Sequence, residues 1–281
     1  MAAFTKLVRF ESDDGKTYFA DLGNDAPELP AAGAKLTSYK SFEDLMSKKN
    51  EETTIFKKLL APLPRDDIPI YCVGLNYKTH AAEANLPVSQ NPPLWTKPAA
   101  SLANPGQDIV MNKYCASSLP DYEAELVFVT SRECKNLTEA EASGAILGYT
   151  IGNDLSCRLF QLPNQGGGQF FYAKAFDDFA PIGPTLVSKE SFSLSSEMTL
   201  RVNGGIRQTV KSFEEDMVFS PTKILSVISQ GTTIPAYTAV MTGTPSGVGA
   251  FMNPKGFLNH EDVVTIEIPG IGELRNKIVF E

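Results

Sequence analysis

Apolar and polar positions alternate from the start of the chain. Lys6–Phe10 and Thr17–Asp21 change character every residue or two, and Ser12-Asp13-Asp14-Gly15 between them is turn chemistry. That pattern predicts a β-hairpin, because successive side chains of a strand point to opposite faces. Ser41–Leu60 reads as a helix with polar breaks. A Pro-rich charged connector follows, Ala61-Pro62-Leu63-Pro64-Arg65-Asp66-Asp67. It marks off a small N-terminal α+β domain, 1–66, from a main domain, 67–281.

In the main domain the apolar runs are short and punctuated by Gly and Pro. Ile70–Val73, Ala124–Thr130, Tyr149–Asn153, Ala239–Thr242 and Val263–Ile268 read as strands. Met198–Asn203 and Ile206–Val210 flank Gly204-Gly205, a hairpin signal. Three short helices are predicted. Thr79–Asn85 stops before Pro87, Thr138–Ile146 opens with a Thr138/Glu141 capping box, and Pro221–Ser229 has Pro at its first turn. Many strands and few helices predict a β-rich α+β fold, a sandwich or roll rather than a doubly wound sheet. Neither a dinucleotide fingerprint nor a phosphate-binding loop occurs, so nucleotide binding has no support.

The formal net charge is −8 and the pI about 5.0. A surface of that sign repels nucleic acid and anionic membranes, so neither is an expected partner. Met1–Phe10 has two cations and no apolar core of a signal peptide, and no apolar run reaches the ~20 residues of a membrane span. The expectation is a cytoplasmic protein, with a mitochondrial location also open. Cys72, Cys115, Cys134 and Cys157 form no C-x-x-C pair and read as buried thiols.

Five segments carry candidate chemistry. Glu123 and Glu125 lie two apart at the start of a strand and so share a face. They are either half of a site for a hard cation or a solvated edge. Asp154 follows a strand end, as a third ligand or as a helix cap. Arg158 and Gln161, three apart, share a helical face, and Arg grips carboxylates well. His80 and Glu83 have the same spacing, and a carboxylate beside an imidazole raises its basicity. Lys174 interrupts an aromatic run, and is either an oxyanion stabiliser or a lysine snorkelling to water. Gly243, Gly247 and Gly249 shape a loop, 242–249, whose N–H groups suit an anion.

In order and spacing these segments resemble the fumarylacetoacetate hydrolase superfamily over about Ile70 to Val279: Gly-x-Asn-Tyr-x-x-His-x-x-Glu, Glu-x-Glu, Asn-Asp-x-Ser-x-Arg-x-x-Gln, Lys-x-Phe-Asp and Gly-Thr-Pro-x-Gly-Val-Gly. The resemblance implies that family's mixed β-roll, usually a homodimer. It also implies Mg²⁺ or Mn²⁺ on Glu123, Glu125 and Asp154, a catalytic His80–Glu83 dyad in a lid, and a catalytic Lys174. Arg158, Gln161, Thr244 and Lys97 would hold a small anionic 2-oxo acid. The activity implied first is hydrolysis of a C–C bond in an acylpyruvate-type substrate, through an enolate. Oxaloacetate decarboxylation or tautomerisation and isomerisation of 2-hydroxyhepta-2,4-diene-1,7-dioate are the alternatives; an inactive binding protein on this scaffold is the reading outside enzymes. Leu159 stands where relatives carry an Asp, and Asn164–Gly168 reads as a flexible insertion.

Overall fold

The strand Ala124–Thr130 is buried at every position. Leu126 and Phe128 belong to one core, together with Leu200, Ile266 and Leu274. Val127 and Val129 belong to another, together with Leu7, Phe42, Leu45 and Met241. A run that is apolar on both faces must be covered on both, which places it inside a sheet. It pairs antiparallel with Ile146–Asn153 on one side and Ala239–Met241 on the other. This computed structural model describes residues 4–23 and 29–281. Positions 1–3 of the Met1–Phe10 stretch lie outside the described residues.

The large sheet has eleven strands and is mixed. Its main path runs Lys35–Ser38, Glu52–Leu60, Lys6–Ser12, Ala180–Ser188, Ile146–Asn153, Ala124–Thr130, Ala239–Met241, Ile70–Val73 and Leu94–Lys97. Ala239–Met241 and Ile70–Val73 are parallel, with Val240 opposite Tyr71. A second, five-stranded sheet runs Gly205–Val210, Met198–Val202, Val263–Ile268, Gly272–Phe280 and Asp108–Met111. The core of Leu126 and Phe128 includes apolar residues from this second sheet. The β-rich α+β architecture expected from the sequence is thus present.

The N-terminal hairpin forms with Val8 opposite Ala20, and its first strand joins the large sheet through Leu7 opposite Leu186. The helix expected over Ser41–Leu60 covers only Phe42–Ser47, capped by Ser41, whose hydroxyl accepts from the Asp44 N–H. Lys48 and Asn50 then take left-handed φ of 52° and 53°, and Glu52–Leu60 is a strand. Thr53, Thr54, Ile55 and Phe56 are β-branched or aromatic, and they favour a pleated surface once a neighbouring strand exists to receive them. Asn164–Gly168, read as flexible, opens with a short helix, Pro163–Gly166. The Thr138/Glu141 capping box and the hairpin over Gly204 both form, the latter with positive φ at Asn203 and Gly204. All four cysteines are free and buried. Among the described residues no helix is long and apolar enough to cross a membrane.

Candidate active site

Glu123 and Glu125 continue the alternation of Val127 and Val129 toward one end of the large sheet. There Ala124 pairs with Asn153, the Asn153 side-chain oxygen accepts from the Glu123 N–H at 3.0 Å, and the Asp154 N–H donates to the Glu123 carbonyl at 2.9 Å. Strand pairing therefore brings residues about thirty apart to one place. One carboxylate oxygen from each of Glu123, Glu125 and Asp154 lies within 4.8 Å of the others, and all three residues are buried. Asp154 caps no helix, and the pair of glutamates is no solvated edge. Like charges packed so closely without water repel one another, and such a site calls for cations.

Three protein cations answer in part. Lys174, also buried, donates to Glu123 Oε2 at 2.8 Å and Asp154 Oδ2 at 2.6 Å. Burial opposes its charge, but Asp154 and Glu123 outweigh that and hold its pKa above the ordinary lysine value. It does not snorkel. Arg158 Nη1 meets Glu123 Oε1 at 2.6 Å, and its Nε donates to Asp121 Oδ2 at 2.8 Å. Lys97 is wholly buried and donates to Asp154 Oδ1 and to the Phe179 carbonyl, the latter at 2.6 Å. Burial would push Glu123 up, but Lys174 and Arg158 reverse this and hold its carboxyl down to about 2.

Glu125 differs. Its Oε2 accepts from the Gly243 N–H at 2.6 Å, but its Oε1 is buried with no partner among the described residues. Burial, then Asp154 and Glu123, push its carboxyl well above the ordinary range. Asp121, Glu123, Glu125 and Asp154 are four buried carboxylates facing Lys97, Arg158 and Lys174. An orphaned carboxylate oxygen in an oxygen-only donor set fits a hard divalent cation.

The glycine loop has a role inside the site. Its N–H groups serve the site's own carboxylates: Gly243 holds Glu125, Gly247 holds Glu83 Oε1 at 2.8 Å, and Gly249 holds Asp121 at 2.9 Å. Gly247 has φ +100°, and a Cβ there would stand 2.0 Å from the Arg207 carbonyl, so no other residue fits without moving backbone. Glu83 Oε2 lies 3.1 Å from His80 Nδ1. A carboxylate only accepts, so Nδ1 carries the proton, and in the neutral imidazole the lone pair is then on Nε2.

A cavity of about 340 Å³ opens over this cluster. His80, Glu123, Arg158, Gln161, Lys174 and Thr244 line it. The structure thus brings together most of the residues read from the sequence. Glu83 stands behind His80. Gln161 accepts from Arg158 Nη1 at 3.1 Å, while Thr244 donates to the Ala124 carbonyl at 2.9 Å. Lys97, expected to hold the 2-oxo acid, is not among the lining residues and instead bonds Asp154. Lys97→Met, which keeps the stem and removes the ammonium, is expected to lower stability by about 3–5 kcal/mol, as breaking a buried pair does; urea unfolding at neutral pH measures it.

Three residues at the site have no role that the sequence assigns. Asp121 accepts from Tyr122 N, Gly249 N, Ala250 N and Arg158 Nε, tying the glycine loop to the arginine. Asn76 bridges Phe219 and Thr242, and Gln208 bonds Thr244. Asp121 lies two residues before Glu123, but apart from the Tyr122 N–H its partners lie 37 or more residues away, and no local pattern announces them.

Residues 69–279 match the model of the fumarylacetoacetate (FAA) hydrolase C-terminal domain. The chain belongs to the fumarylacetoacetate hydrolase family. Among family relatives, it is 37% identical over 223 residues to a mitochondrial oxaloacetate tautomerase of Xenopus laevis, covering 79% of this chain and 68% of that protein. It is 34% identical over 264 residues to an oxaloacetate tautomerase of Bacillus subtilis (strain 168), covering 89% and 85%. The crystal structure of a 2-hydroxyhepta-2,4-diene-1,7-dioate isomerase from Mycobacterium marinum superposes with a TM-score of 0.76 at 30% identity, covering 99% of each chain.

Proposed function

We propose that this family member is a divalent-metal-dependent keto–enol tautomerase of small 2-oxo acids, with Mg²⁺ or Mn²⁺ as the ion. The observation that carries the reading is the buried Glu123–Glu125–Asp154 cluster, whose Glu123 lines the same cavity as His80. Hydrolysis of a C–C bond, placed first from the sequence, gives way to proton transfer because the relatives above are named tautomerases and an isomerase.

Glu123, Glu125 and Asp154 would hold the ion, which supplies positive charge against the oxyanion that develops at C2 of the substrate. The chain's own residues do the rest. Arg158 Nη2 is buried and unpartnered among the described residues, and it suits the substrate carboxylate. Lys174 has three N–H donors, two of them committed to Glu123 and Asp154, and the third is available to the C2 oxygen. His80 Nε2 removes a proton from C3. The C–H electron pair becomes the C2=C3 bond, the carbonyl pair moves onto oxygen, and the imidazolium returns its proton there. Glu83 steadies the imidazolium throughout.

Two measurements test this. Mg²⁺ is expected to raise the melting temperature of chelator-treated protein, because an ion that binds only the folded state stabilises it; ~2.7 kcal/mol is expected at a hundred times Kd. The same protein is expected to catalyse the ultraviolet absorbance change of 2-oxo acid tautomerisation only with the ion present. Release of two acids instead would restore the hydrolase reading, and absence of both effects would remove the site.

A further inference from the structure

The cavity over the carboxylates has two chemically different ends. Beside the carboxylates it offers His80, Arg158 and Lys174. Away from them it is walled by Leu75, Leu86, Pro93, Trp95 and Phe170. Trp95 and Phe170 pack with ring centroids 5.2 Å apart, and Lys174 Nζ stands 5.1 Å over the Trp95 ring, so the apolar wall begins where the charged end stops. Gly74 closes the gap behind it: a Cβ there would lie 2.8 Å from the indole.

Charge accounting across this cavity is one-sided. Lys174 is paired with Glu123 and Asp154 and keeps its third N–H for the C2 oxygen, while Arg158 is paired with Asp121 and Glu123, so that among the residues lining the cavity its Nη2 is the one buried cationic nitrogen with no partner among the described residues. That provides for one substrate carboxylate. The apolar wall holds no second cation. Its one buried side-chain donor without a partner among the described residues is the uncharged indole N–H of Trp95, which gives a hydrogen bond but no counter-charge. A second carboxylate placed there would lose its water with nothing to balance it. Meanwhile Leu86, Phe170 and Phe251, which also line the cavity, remain 54%, 38% and 47% exposed, apolar surface that a four-carbon diacid is too short to cover.

We infer that the site selects 2-oxo acids whose far end is an apolar group, an aryl ring or branched alkyl chain, over short dicarboxylates such as oxaloacetate. This rests on the reading of the site as a 2-oxo acid tautomerase and names its substrate class. The charged head sits at Arg158, and the tail lies along Trp95, Phe170 and Leu86. Tail burial sets the preference, because each added apolar group that fits such a wall changes discrimination by about tenfold or more.

The test uses the Mg²⁺-loaded full chain and two readouts. Trp95 is the only tryptophan, so its fluorescence reports occupancy directly. Titration with 4-methyl-2-oxopentanoate is expected to saturate at a concentration at least about tenfold lower than with oxaloacetate. In the absorbance assay, kcat/KM for phenylpyruvate is expected to exceed that for oxaloacetate by a similar factor. Leu86→Arg, at an exposed position, is expected to weaken the apolar acids and strengthen oxaloacetate, with the Mg²⁺-induced thermal shift unchanged. Oxaloacetate bound or turned over as well as the apolar acids, or a ratio unmoved by Leu86→Arg, would overturn the inference while leaving the tautomerase reading in place. Preference in fluorescence without turnover of either acid would uphold the substrate class and reject the reaction.

Discussion

Glu125→Gln is expected to reduce metal-dependent turnover by more than about a hundredfold while leaving the metal-free fold as stable as before. The first half follows from ligand loss. Changing a residue that merely supports a metal ligand costs 10–100-fold, so removing a ligand charge costs at least the upper end of that range. The second half follows from the surroundings of this one carboxyl. Its Oε1 has no partner among the described residues, and burial with Asp154 and Glu123 nearby favours its protonated form. Glutamine is the neutral counterpart of that form, and its side-chain oxygen can keep the bond from Gly243 N–H. Melting curves with chelator and with Mg²⁺ separate the two effects. The chelator curve should match the parent protein or lie above it, and the Mg²⁺ increment should vanish. A retained increment would show that Glu125 is no ligand. A large drop in the chelator curve would show that its ionised carboxylate is needed for folding.

His80→Ala is expected to lower kcat by about 10²–10⁴, the range associated with loss of a general base, with the Mg²⁺ increment in melting temperature preserved. The imidazole lines the cavity but belongs to no carboxylate pair in the metal cluster, so binding and proton transfer should separate cleanly. Glu83→Gln should fall between this variant and the parent protein. It keeps an acceptor for Nδ1–H but removes the charge that steadies the imidazolium. Initial rates at saturating substrate, with and without added metal, decide the matter. Unchanged kcat in His80→Ala would take the proton-transfer role from this residue.

The site was legible in the sequence to an unusual degree at the level of residue types, and much less so at the level of partners. Glu-x-Glu announced two carboxylates on one face, and His-x-x-Glu announced a dyad; both hold because their geometry is set within one strand or one helical turn. The partners of Lys97 show the limit. The resemblance implies that it holds substrate, but the strand Leu94–Lys97 brings it against Asp154, 57 residues on. Asp121 shows the same limit from the other side, since its four donors come from three separate segments.

By itself the sequence determined what short-range geometry controls: the two hairpins, the capping box, the strand Ala124–Thr130 and the side-by-side placement of Glu123 and Glu125. Tertiary structure alone decided the rest. It turned Glu52–Leu60 from helix to strand by supplying two neighbours, and it gave the N–H groups of the glycine loop to the site's own carboxylates. It also set an apolar wall opposite a charged floor. The reason is common to all three. Hydrogen bonds and ion pairs between distant residues exist only once strands from remote parts of the chain are side by side, and no local pattern encodes who those neighbours will be.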